Sequence, residues 1–304
     1  MMNIMKTKLG FNFFDVFVIA FCVLFALFCF YPMYYVLVVS LMPYESYVYF
    51  GKSFILFPPQ VSLEYYVTVM HSSGHKFSQA MLISFSKTAL GATTALIFTS
   101  MVAYAVSKTH IKGMKFLNVY MIFTMFFSGG LIPLYLLVRN LGLYDTYWAM
   151  IVPYLIQIGH FIIMRNYFSY VVPKELEDAA TVDGANEIYL FFHIIVPIAK
   201  PMLAAIFLFE AVFHWNDYYS FLIFVEDFNL EPFVWLLRKV LIDPESLVRT
   251  DVGRDFVEAE EMRYIPPAGL KMTTIICAMV PIMILYPFLQ KYFAKGILIG
   301  AVKE

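Results

Sequence analysis

Residues Pro173–Pro201 read PKELEDAATVDGANEIYLFFHIIVPIAKP, a polar stretch set between two segments apolar enough to lie in lipid. Pro173 suits the first turn of a helix, where the N–H it lacks would find no partner anyway. Leu176, Ala179 and Ala180 then recur at i, i+3 and i+4, with Lys174, Glu175, Glu177 and Asp178 opposite, which predicts a short amphipathic helix. Asp183-Gly184 marks a turn, since glycine tolerates positive φ. Ile188, Phe191, Phe192 and Ile195 follow at i, i+3, i+4 and i+7 and predict a second helix, limited by Pro197 and Pro201. An ordered, charged segment of this kind separates two membrane spans. Periodicity alone leaves it either a connector lying on the membrane surface or a handle for something in the cytoplasm.

Working outward, the chain is 61% hydrophobic and only 14% charged, which excludes an ordinary soluble domain. A bilayer core of about 30 Å takes roughly 20 apolar helical residues. Six segments meet that requirement: 16–42, 88–107, 116–138, 146–164, 201–225 and 272–290. The expected fold is all-α and polytopic, one transmembrane domain over 1–304 with a two-helix loop, 173–197, between spans four and five. Outer loops are expected at 43–79 and 226–270, the second with a short amphipathic helix over Pro232–Ile242. Lys6 and Lys8 before the first span give it a signal-peptide look. It is too long for one and has no small-residue cleavage site, so it reads as a retained span.

Lys and Arg are split almost evenly between the two sides, but short loops decide orientation. Lys108–Lys115 holds three lysines and no acid, whereas Arg139–Asp145 holds one Arg and one Asp. That places both termini in the cytoplasm. A net charge of −1 gives no reason to expect nucleic acid, and Cys22, Cys29 and Cys277 sit inside spans without metal-ligand spacing.

The loop resembles the EAA motif of the membrane subunits of ATP-binding-cassette importers: Glu-Ala-Ala, three residues, Gly, nine residues, Ile-x-Leu-Pro. Here it reads Asp178-Ala179-Ala180, Gly184, Ile194-Ile195-Val196-Pro197, with two conservative departures and the spacing intact. Ala103–Lys108, Ser128–Pro133, Leu141–Thr146 and Gln290–Ile297 are similar to the carbohydrate-uptake branch of that family. The resemblance implies that Glu177, Asp178, Ala179, Ala180, Asp183, Gly184 and Ala185 form the contact with a cytoplasmic ATPase. It further implies a bacterial inner-membrane location, a second homologous permease subunit, two ATPase subunits and an extracytoplasmic solute-binding protein. The cargo implied is an oligosaccharide or polysaccharide fragment. ATP and Mg belong to the partner subunits, because this chain has no glycine-rich phosphate loop, and no metal or cofactor of its own is expected.

The fifth span carries unusual charge. Glu210, His214 and Asp217 stand at i, i+4 and i+7 on one helical face. A carboxylate facing lipid at mid-membrane costs roughly 2.5–3.5 kcal/mol or more, so such groups face water or a partner. Three readings stay open: the face lines the translocation pathway, Glu210 and His214 pair structurally, or Asp217 is hydrated at the interface. Trp215-Asn216-Asp217 resembles an element of the sugar permeases. Trp215, Tyr218 and Tyr219 can stack on sugar or form an aromatic belt. Gln157 and His160 in the fourth span suit helix–helix hydrogen bonds as well as substrate.

Two other functions compete. An ion-coupled secondary transporter would use Glu210, His214 and Asp217 as a proton relay. An intramembrane enzyme would use Glu210 and His214 as acid and base, but no nucleophile stands nearby. Only the ATP-driven importer accounts for the loop.

Overall fold

The computed structural model describes residues 13–50, 57–72, 74–170, 172–242 and 267–301. All regular structure among them is helical: α1 (Phe13–Ser40), α2 (Tyr44–Phe50), α3 (Glu64–Ser72), α4 (Gly74–Ser107), α5 (Met114–Phe126) and α6 (Leu131–Asn140). Two 3-10 turns, Tyr147–Met150 and Val152–Tyr154, lead into α7 (Ile158–Tyr170) and α8 (Lys174–Val182). Next come α9 (Glu187–Tyr189), a π-helical segment Leu190–Ile195, α10 (Val196–Ile198), α11 (Lys200–Asn216), α12 (Tyr219–Phe224), α13 (Phe233–Ile242) and α14 (Pro267–Ala301). The chain is all-α, as expected.

Three helices are long and apolar enough to cross a membrane on their own: Phe13–Ser40, Phe77–Ser107 and Ala268–Pro287. Three further pairs qualify only when joined across a bend, of 119° for α5 and α6, 46° before α7, and 86° between Glu187–Ile198 and α11. The expected third span is therefore no straight rod. Gly130 takes φ +86°, which side chains resist, and Pro133 restarts the helix behind it. The fifth expected span also breaks. At 17 residues α11 rises only about 25 Å before Asp217 turns extended and α12 takes over. The expected outer loop 43–79 folds into α2, α3 and the start of α4, while α13 forms over Phe233–Ile242 as its amphipathic pattern predicts. The acidic run at 255–261 lies outside the described residues.

The contacts cluster into two units, residues 1–72 with 244–276 and residues 73–243 with 277–304. In the first, Val38, Val39 and Met42 make a small core with Met272 against it. Tyr65 is fully buried there, its ring lying over Gly269, where a Cβ would sit 1.9 Å from Cζ. The second unit holds the larger core. Ala103, Tyr104 and Val106 of α4, Phe161, Met164 and Phe168 of α7, and Ile206 of α11 pack with Ala180, Leu190, Phe191 and Ile195 of the loop. The loop is thus an extension of the bundle's core, not an appendage to it.

Candidate functional site: the polar loop and the break in the fifth expected span

The loop begins with α8 behind Pro173 and stops at Gly184, whose φ is +86°. The Gly184 N–H donates to the Thr181 carbonyl and the Ala185 N–H to that of Ala180, both at 3.0 Å. That pair of bonds satisfies two carbonyls at the helix end and requires a left-handed residue between them. Asn186 opens the next helix by accepting the Tyr189 N–H on its side chain at 2.8 Å. Just before Pro197 the Val196 N–H reaches the Phe191 carbonyl, five residues back. This π register makes room for the proline ring.

It also rotates the buried face. Leu190, Phe191 and Ile195 are buried, whereas Ile188 and Phe192, assigned to the same face by simple periodicity, are exposed. Among the described side chains of α8, Ala180 alone is buried. Leu176 is partly exposed, and Asp178, Ala179, Asp183 and Gly184 face outward, with Ala185 and Glu177 half-buried. Val182 is 87% exposed and Ile188 is 72% exposed, so the tip of the loop presents apolar side chains with nothing over them. They flank an open concavity lined by Ala180, Asp183, Gly184, Ala185, Asn186, Tyr189 and Ile194. Glu177 pairs with Lys108, just beyond the end of α4.

The polar residues of the fifth span separate into different environments. Glu210 is fully buried and accepts from His160 Nδ1 at 2.6 Å and Gln157 Nε2 at 3.3 Å, so it bridges α11 to α7 and not to His214. The His214 ring is buried against Gly91, where a Cβ would lie 2.7 Å from it, and neither ring nitrogen has a partner among the described residues. Asp217 has left the helical face. It receives Lys87 Nζ on its carbonyl at 2.5 Å and on Oδ2 at 2.7 Å, and Ser220 Oγ completes the lysine's three acceptors at 3.3 Å. Its Oδ1 accepts the N–H groups of Tyr219 and Ser220, which starts α12. Trp215 is buried and donates its indole N–H to the Ala278 carbonyl of α14 at 3.1 Å. Asn216 is exposed and donates to the Val212 carbonyl. With Phe213, Tyr218 and Tyr219, Asn216 and Asp217 line a second open concavity.

The structure therefore brings Asp217 to Lys87 and Glu210 to His160, and it does not bring Glu210, His214 and Asp217 together. Lys87 went unnoticed because it was taken as the flank of a span beginning at Thr88; α4 starts at Gly74, which puts Lys87 inside it. Asp145 was missed as well. It sits at φ 56°, and its Oδ1 accepts the N–H groups of Glu226 and Asp227, holding the strand-like segment that follows α12. Beside it the Tyr144 hydroxyl donates to Glu226, whose carboxylate raises the phenol's pKa. No group of three or more His, Cys, Asp or Glu able to hold a metal occurs among the described residues.

Bent apolar helices with a folded polar loop between them make this a polytopic membrane protein. The pattern described as "Binding-protein-dependent transport system inner membrane component" matches residues 95–299, and the chain belongs to that family. It is 36% identical to the polygalacturonan/rhamnogalacturonan transport system permease protein YtcP of Bacillus subtilis, over 98% of this chain and 100% of that one. It is 40% identical to protein LplC of the same organism, over 83% of this chain and 82% of that one. Among solved structures it is similar to a bacterial ABC transporter involved in import of the acidic polysaccharide alginate. There the TM-score is 0.81 and identity 29%, covering 92% of this chain and 96% of that one.

Proposed function

We propose that this chain is the permease subunit of an ATP-driven importer, forming half of the translocation pathway for an oligosaccharide or polysaccharide fragment. A binding protein outside the membrane delivers the cargo, and two partner ATPase subunits, which hold ATP and Mg, drive the cycle. A second homologous permease completes the pathway, and the termini lie in the cytoplasm. The observation that carries the reading is the tip of the loop. Val182 and Ile188 stand out into solvent around a turn held by Gly184, on a segment whose base is fixed in the bundle's core. Apolar helix surface held rigidly and uncovered suits docking in a groove of another protein. Asp178–Gly184 is then the contact with the ATPase.

The similarity to one permease named for polygalacturonan and rhamnogalacturonan, and to an alginate importer, supports an acidic saccharide. Asn216, Tyr218 and Tyr219 at the break of the fifth span would contribute to its path. The ion-coupled alternative receives no support from the family or the relatives, and Asp217 is occupied by Lys87 instead of standing ready for a proton relay. Purifying the complex from its native membrane, and measuring ATP-dependent uptake of galacturonan fragments against neutral maltooligosaccharides, tests the proposal. Preference for the acidic fragments is expected. Uptake that persists without ATP and collapses with the proton gradient would overturn it.

A further inference from the structure

The last turn of α4 makes contacts with both arms of the loop. Lys108, one residue past α4, pairs with Glu177 of α8, and the two side chains are only 12% and 16% exposed. Its Nζ also lies 4.6 Å from the centre of the Tyr104 ring. Tyr104 is buried, with ring centroids 5.8 Å from Phe168 of α7 and 5.2 Å from Phe191 of the π-helical segment. So α4 grips the first arm by charge and the second by ring packing. A cation beyond a helix C-terminus is favoured by the helix dipole as well. Ion pairs free in water contribute little, but this one is largely withdrawn from solvent and seated on an aromatic face.

Farther along, α4 meets α11 through Gly91 under the His214 ring and through Lys87 on Asp217. One helix, α4, thus contacts both the loop and the break at Asp217. We propose that Lys108 is a positioning residue for energy coupling, locking α8 to α4 so that movement of the loop shifts α4 instead of being absorbed between them. The proposal rests on the reading of the loop as the ATPase contact.

The test uses the assembled transporter with its ATPase subunits, spin-labelled at the exposed positions Leu82 on α4 and Leu137 on α6. The probe is ATP with vanadate, and the inter-label distance change is read beside ATP hydrolysis. Lys108→Ala and Glu177→Gln should each at least halve the distance change while hydrolysis continues. Lys108→Arg, which keeps a cation beside Glu177 and over the Tyr104 ring, should retain it. An unaltered change in both single variants overturns the proposal, and so does a loss in Lys108→Arg as large as in Lys108→Ala. Complexes are isolated through the ATPase subunit, so only assembled transporter is read. If Lys108→Ala does not assemble, Lys108→Gln, which keeps its stem over Tyr104, takes its place. Gly184→Val separates the two readings. If it abolishes the change while the Lys108 variants keep it, docking stands and the link falls. If neither variant matters, docking falls too.

Discussion

The loop between Pro173 and Ala199 and the break at Asp217 distribute their side chains in opposite ways. The loop keeps Val182 and Ile188 outside, while the apolar helices keep Lys87, Glu210 and His214 inside. Each arrangement is costly for a monomer. An exposed apolar tip is stable in a complex that covers it, and a buried charge is stable only with its partners in place. The difference teaches where each region meets the rest of the machine. On the proposed docking the loop is completed by a partner protein, whereas the break is held by bonds internal to the chain.

The largest effect should come from breaking the internal bonds. Lys87 satisfies all three donors on Asp217 and Ser220, so Lys87→Met leaves the Asp217 carboxylate buried without its counter-charge. Removing one member of a buried pair costs about 3–5 kcal/mol. Thermal unfolding of the purified complex should show that loss. The double variant Lys87→Met with Asp217→Asn should recover much of it, because no isolated charge remains. A single variant as stable as the parent would remove the distinction between the two regions.

Gly184→Val comes next. The glycine's φ of +86° is a conformation that a β-branched residue resists, at about 1–2 kcal/mol or more, but no atom lies within 4 Å of where its Cβ would stand. The bundle should therefore survive while the turn distorts. ATP-dependent uptake should fall about tenfold or more in membranes containing normal amounts of protein. Normal uptake would count against the loop as the coupling element.

Covering can be challenged from the other side. Val182→Glu with Ile188→Glu alters only exposed positions, so stability should stay within about 0.5 kcal/mol of the parent. Retention of the ATPase subunit during purification should weaken severalfold. Full retention would mean that the apolar tip is not the docked surface.

How much of this was legible in the sequence depends on range. The turn at Gly184 and the helix α8 are local: a proline, a short amphipathic run and a glycine specify them within a dozen residues. The face of the following helix was misjudged because the π register before Pro197 depends on tertiary packing, which periodicity does not contain. The 119° bend in the third expected span has a local signal too, in Gly129-Gly130 just ahead of Pro133. The polar residues of the fifth span were placed on one helical face, which assumes that the helix continues past Asn216; Asp217 instead ends it. Their partners, Lys87 and His160, lie 130 and 50 residues away, and no local rule connects them.

A modest effect is expected at Glu210, and it sharpens the contrast most. Its carboxylate is wholly buried yet lies between His160, itself 17% exposed, and Gln157. Glu210→Gln keeps the volume and one acceptor while removing the charge. A hydrogen bond to an ionised group contributes roughly twice a neutral one, so about 1 kcal/mol should be lost. Assembly should remain near normal and transport should change, since α7 and α11 are the helices that frame the loop and this bond ties them. His160→Gln with Glu210→Gln is then expected to resemble the single variant, because the charge-assisted bond is already gone. Loss of assembly without any change in transport per assembled complex would make Glu210 purely structural. The partition inside the spans would then serve folding alone, with the loop left as the only region built for motion.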